Sequence, residues 1–87
     1  MKILKELILR EIAGEAVLVP VGKSVLEYNG LFALNEVGAD IWKGIAAGKD
    51  EETIVAELLE SYDAPEADIR RAAAQFFGEL RTMGILE

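Results

Sequence analysis

Cysteine and histidine are both absent from this 87-residue chain. Their absence excludes disulfides, thiolate nucleophiles, imidazole bases and the usual zinc ligands. The two serines, Ser24 and Ser61, have no histidine to activate them, and no calcium-loop pattern occurs. We therefore expect no enzymatic activity, no metal site and no cofactor, because the residue types of acid–base and nucleophilic catalysis are mostly missing.

Basic residues are also scarce, with nine Lys and Arg against sixteen Asp and Glu and a net charge of −7. A protein that binds nucleic acid neutralises phosphates with Lys and Arg. The charge therefore argues against nucleic acid and anionic membrane surfaces as partners. No apolar run approaches the ~20 residues that span a bilayer. The apolar start, Ile3 to Leu9, is too short and too charged for a signal peptide, so we expect a cytoplasmic protein.

The length and composition indicate one domain, residues 1–87, with one core. Hydrophobic residues make up 52% of the chain and charged residues 29%, which is typical of a globular fold. The sequence changes character near Asn35, since aliphatic and β-branched residues dominate before it and helix-forming residues follow it. This order predicts an α+β fold, with a three-stranded antiparallel sheet followed by three helices.

The first part of the chain predicts three strands. They are Leu7 to Ile12, Ala16 to Val21 and Val25 to Leu34. Asn29-Gly30 interrupts the third strand with a turn or bulge signal, so its main pairing segment is predicted at Gly30 to Leu34. The short connections imply antiparallel pairing.

Capping residues predict the helices in the second part. Asn35 and Asp50 are expected N-caps of the first two helices, and Gly48 is expected to end the first. Trp42 and Tyr62 lie on apolar stripes of these helices and are predicted to be core residues. The third helix is predicted from Pro65 to Met83, with Ile85-Leu86 folding back onto the core.

The third helix presents two adjacent faces when its residues are placed 100° apart. The first is a predicted core stripe of Ile69, Ala72, Ala73, Phe76, Leu80 and Met83. The second carries Arg70, Ala74, Phe77 and Arg81. Two interpretations of this second face stay open. Either Phe77 completes the core beside solvated arginines, or the face is the wall of a binding groove in which Phe77 makes apolar contact and the arginines capture carboxylates.

The ordered set of signals resembles the PqqD-like family over nearly the whole chain. The resemblance lies in Leu9–Val19, Asn29–Gly38, Ile41-Trp42, Gly48, Tyr62–Pro65, Phe76-Phe77, Leu80 and Gly84–Leu86. The chain departs from many relatives at Ala72-Ala73, where they carry an acidic residue and then a larger aliphatic one. This departure predicts a third helix closer to the sheet or a groove of different shape.

The resemblance implies a winged-helix-like fold and a non-catalytic role as a peptide adaptor, the recognition element for ribosomally made, modified peptides. The leader of a precursor peptide would bind as an added strand, and the adaptor would present it to a modifying enzyme, typically a radical SAM enzyme, in coenzyme PQQ biosynthesis or a related pathway. Carried onto this chain, the peptide-binding residues are Gly30, Leu31, Phe32, Ala33 and Leu34 of the third strand, with Arg70, Ala74, Phe77 and Arg81 of the third helix. A winged-helix-like regulatory module and a subunit that only stabilises a complex are the alternatives.

Overall fold

A computed structural model describes all 87 residues. Three strands come first: β1 (Leu7–Ile12), β2 (Glu15–Pro20) and β3 (Phe32–Leu34). Three helices follow: α1 (Glu36–Ala46), α2 (Glu51–Ser61) and α3 (Glu66–Thr82). The sheet is antiparallel, with the order β1-β2-β3. The predicted α+β fold is therefore confirmed.

The hairpin of β1 and β2 forms the longer half of the sheet. Ala13 and Gly14 connect the two strands with φ angles of 53° and 81°, the left-handed backbone of a tight hairpin turn. The register runs from Leu7 opposite Pro20 to Ile12 opposite Glu15. On the other side of β2, Leu18 lies opposite Phe32 and Ala16 lies opposite Leu34. Since β2 is central, β3 is an edge strand.

The third strand is shorter than predicted, because Val25 to Leu31 is not part of it. Gly22–Leu26 forms a short 3₁₀ helix instead. The buried Ser24 hydroxyl accepts a hydrogen bond from the Glu6 amide at 2.9 Å, and the Ser24 carbonyl accepts from the amides of Glu27 and Tyr28. The amides of Glu27 and Tyr28, which a strand would have used for its ladder, are therefore occupied by the Ser24 carbonyl. Only Phe32, Ala33 and Leu34 pair with β2.

Both predicted N-caps are confirmed. The Asn35 side chain accepts a hydrogen bond from the Gly38 amide at 2.7 Å, and the Asp50 side chain accepts one from the Thr53 amide at 2.8 Å. Gly48 follows α1 with a φ of 84°, a left-handed conformation that ends a helix at low cost for glycine. The predicted third helix differs by one residue at each end, where Pro65 and Met83 flank α3.

The core lies between one face of the sheet and the three helices. The prediction that Trp42 is a core residue is confirmed, as is the return of Ile85-Leu86 onto the core, where Leu86 bridges to Ile3. The predicted stripe of α3 is corrected at its edges: Ala72 and Met83 are exposed, Phe76 is only partly buried and Phe77 is 2% exposed. The reason is that α1 and α2 both pack against α3, while the side that carries Phe76 and Met83 borders the groove beside β3.

Candidate functional site

The outer edge of β3 is open. β3 pairs only with β2, and no other backbone hydrogen bond in the chain uses a residue between 31 and 34. Each residue of an edge strand has its polar backbone groups on one side or the other, so an unpaired side can accept a further strand. This edge is therefore a place where an extended peptide can add to the sheet.

An apolar groove of about 340 Å³ lies between β3 and α3. Its walls come from β3 and the residue before it, from one face of α3, and from the core beneath. Nine of its ten lining residues are hydrophobic: Leu18, Leu31, Phe32, Ala33, Leu34, Phe76, Leu80, Met83 and Ile85. The exception is Glu79. The combination of an open strand edge and an apolar groove suits a peptide that offers both backbone and apolar side chains.

Three hydrophobic side chains of the groove remain accessible to a ligand. Leu31 is 55% exposed and Met83 is 36% exposed, while the ring of Phe76 is partly buried. Large apolar side chains clustered at an open groove are more informative than isolated exposed ones, because such clusters often mark binding surfaces. They would lose further contact with water when a peptide covers them.

Two packing contacts fix the shape of the groove. A Cβ atom at Gly38 of α1 would lie 3.3 Å from the Phe76 ring, so the glycine allows the ring to approach α1 closely. At the β3 end, the Tyr28 hydroxyl donates to the Met83 carbonyl at 2.9 Å, and the Tyr28 ring meets Phe32 edge-on at 5.5 Å. The segment before β3 is thus tied to the end of α3, which holds the two walls together.

The residues predicted on the strand side come together at this groove. Leu31, Phe32, Ala33 and Leu34 all line it, and Gly30 lies just before them with a φ of 95°. Phe32 and Leu34 are partly buried against the core, whereas Ala33 is exposed. This alternation places Phe32 and Leu34 on the face of β3 that looks toward the helices.

The residues predicted on the helix side do not border β3. Arg70 bonds to Glu66 and reaches Glu52 of α2, and Arg81 pairs with Glu51 of α2 while its guanidinium lies 5.9 Å from the centre of the Phe77 ring. Phe77 is 2% exposed, so its ring has almost no surface left for a ligand. Ala74 is exposed but does not line the groove. A peptide-binding role for these four residues stays a prediction.

The ion pairs of Arg70 and Arg81 also bear on whether these arginines can bind a carboxylate of a peptide. Hydrogen bonding to Glu66, together with the charge of Glu52, raises the pKa of Arg70 above its ordinary value. Arg81 additionally donates to the Glu87 carbonyl at 3.0 Å. Both guanidinium groups have acidic partners in the folded chain, so a carboxylate of a peptide would have to compete with those partners.

The α3 residues that do line the groove were assigned differently from the sequence. Phe76, Leu80 and Met83 were expected in the core stripe, and Glu79 was not singled out. Their spacing of three and four residues placed them on one helix face. A possible signal was the pairing of two adjacent phenylalanines, since one of the two must lie toward the edge of the stripe.

No group of three or more acidic side chains is arranged to hold a metal ion. No helix combines the length and the apolar character that crossing a membrane requires.

Comparison with known families gives this geometry a context. The family model described as coenzyme PQQ synthesis protein D (PqqD) matches residues 15–86, which include β2, β3 and all three helices. The chain belongs to the PqqD family. The resemblance drawn from the sequence is thereby confirmed, and the matched segment of this PqqD family member contains both walls of the groove. No curated protein sequence matches the chain.

A solved structure is similar over the full length of this PqqD family member. It is described as TbiB1 in complex with the TbiA(beta) leader peptide, and its chain is 29% identical with a TM-score of 0.78. The match covers 100% of this chain and 95% of the other. The shared architecture therefore belongs to a protein that was captured with a leader peptide.

Proposed function

We propose that this chain is a non-catalytic adaptor that binds the leader segment of a ribosomally made precursor peptide. The observation that carries the proposal is the open edge of β3 beside an apolar groove of about 340 Å³. Membership of the PqqD family supports it, and so does the similarity to a protein solved with a leader peptide.

The mechanism of recognition is strand addition. Backbone groups of the peptide pair with the outer side of β3, while alternate side chains of the peptide point into the groove. β3 has only three residues, so its ladder contributes few hydrogen bonds. Much of the affinity and specificity therefore comes from apolar side chains that pack against Phe76, Leu80 and Met83.

The adaptor acts by presenting the bound peptide to a second protein. The chain itself has no Cys or His, so the chemistry is assigned to a modifying enzyme, either a radical SAM enzyme or another peptide-modifying class. The pathway is coenzyme PQQ biosynthesis or a related peptide modification. We place the activity in the cytoplasm, where precursor peptides are made.

A titration with a matched control variant tests the proposal. Short precursor peptides encoded beside the gene are added to ¹⁵N-labelled protein and followed by NMR and calorimetry. Amide shifts should concentrate at residues 31–34 and along α3 from Phe76 to Met83. Phe76→Ala should weaken binding about tenfold or more, as expected for an aromatic anchor. The control is Leu59→Ala, which truncates a partly buried apolar residue of α2 outside the groove.

The outcome that would overturn the proposal is equally specific. Melting curves first establish that both variants fold. If folded Phe76→Ala binds as tightly as Leu59→Ala, or if the shifts avoid β3, the groove is not the peptide site.

A further inference from the structure

We propose that the groove selects leader segments with a basic side chain next to an apolar anchor, and that Glu79 is the residue that reads the positive charge. This inference rests on the proposed function, because it assigns the chemistry of the peptide that binds the same groove. It is carried by the position of Glu79, by its lack of a cationic partner and by the charge of the surrounding surface.

Glu79 is placed on the groove face of α3. It lies three residues after Phe76 and four residues before Met83, so the three side chains are neighbours along one helix face. All three line the apolar groove. Glu79 also lines two adjoining concavities, one with Val37 and Gln75 and one with Gln75, Gly78 and Thr82. Its carboxylate therefore stands where three surface depressions meet.

The carboxylate of Glu79 has no basic partner in the folded chain. Its recorded hydrogen bond comes from the Gln75 side-chain amide at 3.2 Å, and no Lys or Arg lies within 4.0 Å of it. No basic residue lines any of the three depressions. The three basic residues of α3 have other partners, since Arg70 and Arg81 pair with acidic residues at the start of α2 and Arg71 pairs with Asp68. Glu79 is thus available to a positive charge supplied by a ligand.

The surface around the groove also carries mostly negative charge. The depression at the end of β3 is lined by Glu11, Glu15, Glu36 and Asp40, with Lys43 as its single cation. The whole chain carries a net charge of −7. A basic peptide is attracted to this surface before it docks, whereas an acidic peptide meets repulsion along the edge of β3.

The side chain that fits this site combines an apolar stem with a cationic end. The methylene groups of Lys or Arg can pack on the apolar wall while the charged end reaches Glu79. In an extended peptide, residues two positions apart point to the same side. The preferred segment therefore has a large apolar residue in the groove and a Lys or Arg two positions away. An acidic residue at that position would face Glu79 without compensation.

Peptide selection with charge-reversed variants tests the inference. A displayed library of random twelve-residue peptides is selected against the wild-type chain, Glu79→Lys and Glu60→Lys. Glu60 is an exposed residue of α2 with no ion pair, so its reversal makes the same change in net charge outside the groove. The wild type and Glu60→Lys should enrich Lys or Arg two positions from an apolar residue. Glu79→Lys should enrich Asp or Glu there instead.

Synthetic copies of the selected peptides then measure how much the basic residue contributes to binding affinity. Replacement of the selected basic residue by Glu should weaken binding to the wild type about two- to fivefold at low salt, as expected for an exposed ion pair. The difference should shrink as salt is added, because screening weakens exposed pairs. Each peptide is also titrated into Phe76→Ala to establish that it binds in the groove.

The outcomes separate this inference from the proposed function. Peptides that lose affinity in Phe76→Ala but show no charge preference, or one that Glu79→Lys leaves unchanged, would overturn the role of Glu79 alone. Failure to select any peptide that depends on Phe76 would overturn the groove as a peptide site, and the charge inference with it.

Discussion

Phe76 and Phe77 are adjacent in sequence, yet they face different neighbours. Phe76 lines the groove beside β3, whereas Phe77 is 2% exposed and lies under Arg81 on the side of α2. The two rings therefore serve different purposes in one helix: Phe77 stabilises the core, and Phe76 is available to a ligand. Substitutions at the two positions should separate stability from binding.

We expect Phe77→Ala to lower the free energy of unfolding by about 3–5 kcal/mol, because it leaves a cavity in the core. A small domain has only about 5–15 kcal/mol in total, so a large fraction of this variant could be unfolded. Urea denaturation measures the loss. For peptide titrations the better variant is Phe77→Leu, which keeps most of the buried volume and should bind with little change in affinity.

Arg81→Ala provides the companion test. Its ion pair with Glu51 is partly exposed, so its loss should cost less than about 1 kcal/mol. Peptide affinity should stay near that of the wild type. A clear loss of affinity in folded Phe77→Leu and in Arg81→Ala would instead support the helix wall predicted from the sequence.

The Tyr62 hydroxyl donates a hydrogen bond of 2.6 Å to Asp40 and so connects α2 to α1. Burial, together with this bond and the negative charge of Asp40, raises the pKa of Tyr62 above its ordinary value of 10.0. Because the folded-state pKa is the higher one, the stabilisation is fully present below pH ~10 and is lost as the pH rises above it.

Tyr62→Phe should therefore change both the level and the pH dependence of stability. Near neutral pH it should cost about 1.5–3 kcal/mol, the usual range for a hydrogen bond to a charged group. Between pH 9 and 11, denaturation midpoints of the wild type should fall more steeply than those of Tyr62→Phe. If the denaturation midpoints of the two proteins fall in parallel with pH, Tyr62 does not contribute to the loss of stability at alkaline pH.

At the scale of the elements, α1 and α2 approach each other closely at Gly44. A Cβ atom at this position would lie 2.7 Å from the Cγ1 atom of Ile54, closer than packed carbons allow. We expect Gly44→Ala to destabilise the protein by about 1–3 kcal/mol through overpacking, in spite of the better helix propensity of alanine. The measurement is the midpoint of urea denaturation.

Gly78→Ala is the matched control for this prediction. Gly78 lies within α3, and a Cβ atom there would meet nothing within 4 Å. This substitution should therefore stabilise the protein by up to about 1 kcal/mol. If Gly44→Ala stabilises the protein as Gly78→Ala is expected to, close packing at Gly44 is not the reason for its glycine.

The sequence predicts the helices better than it predicts β3. The ends of α1 and α2 depend on nearby residues, such as the Asn35 and Asp50 caps, so local patterns are sufficient. The 3₁₀ helix that replaces the first part of the predicted third strand is held in part by a hydrogen bond between the Ser24 hydroxyl and the Glu6 amide, which are 18 positions apart. No local pattern around Val25 contains that information.

The sequence indicates the strand wall of the candidate site directly. The segment before Asn35 indicated the strand, and Leu31 to Leu34 do line the groove. On α3, a helical projection showed which residues cluster but not the direction from which β3 and α2 pack. The burial of Phe77 and the ion pairs of Arg70 and Arg81 with α2 become visible only in three dimensions.

At the scale of the whole molecule, the net charge of −7 disfavours binding to nucleic acids, which are also negatively charged. Non-specific binding to DNA depends on cationic groups that release counterions. We expect that micromolar protein at physiological salt does not raise the fluorescence anisotropy of labelled random duplex DNA. Salt-dependent binding at submicromolar concentration would revive the winged-helix regulatory alternative.

The first and last segments of the chain lie side by side. Ile3 bridges to Leu86, the Leu4 amide donates to the Ile85 carbonyl at 2.8 Å, and the Glu87 amide donates to the Lys2 carbonyl at 3.0 Å. A short linker can therefore join the two ends, and new ends can be opened at the exposed Ala13-Gly14 turn. Such a circular permutant should keep its fold and its groove, which would allow the recognition domain to be inserted into a loop of another protein with the edge of β3 still free.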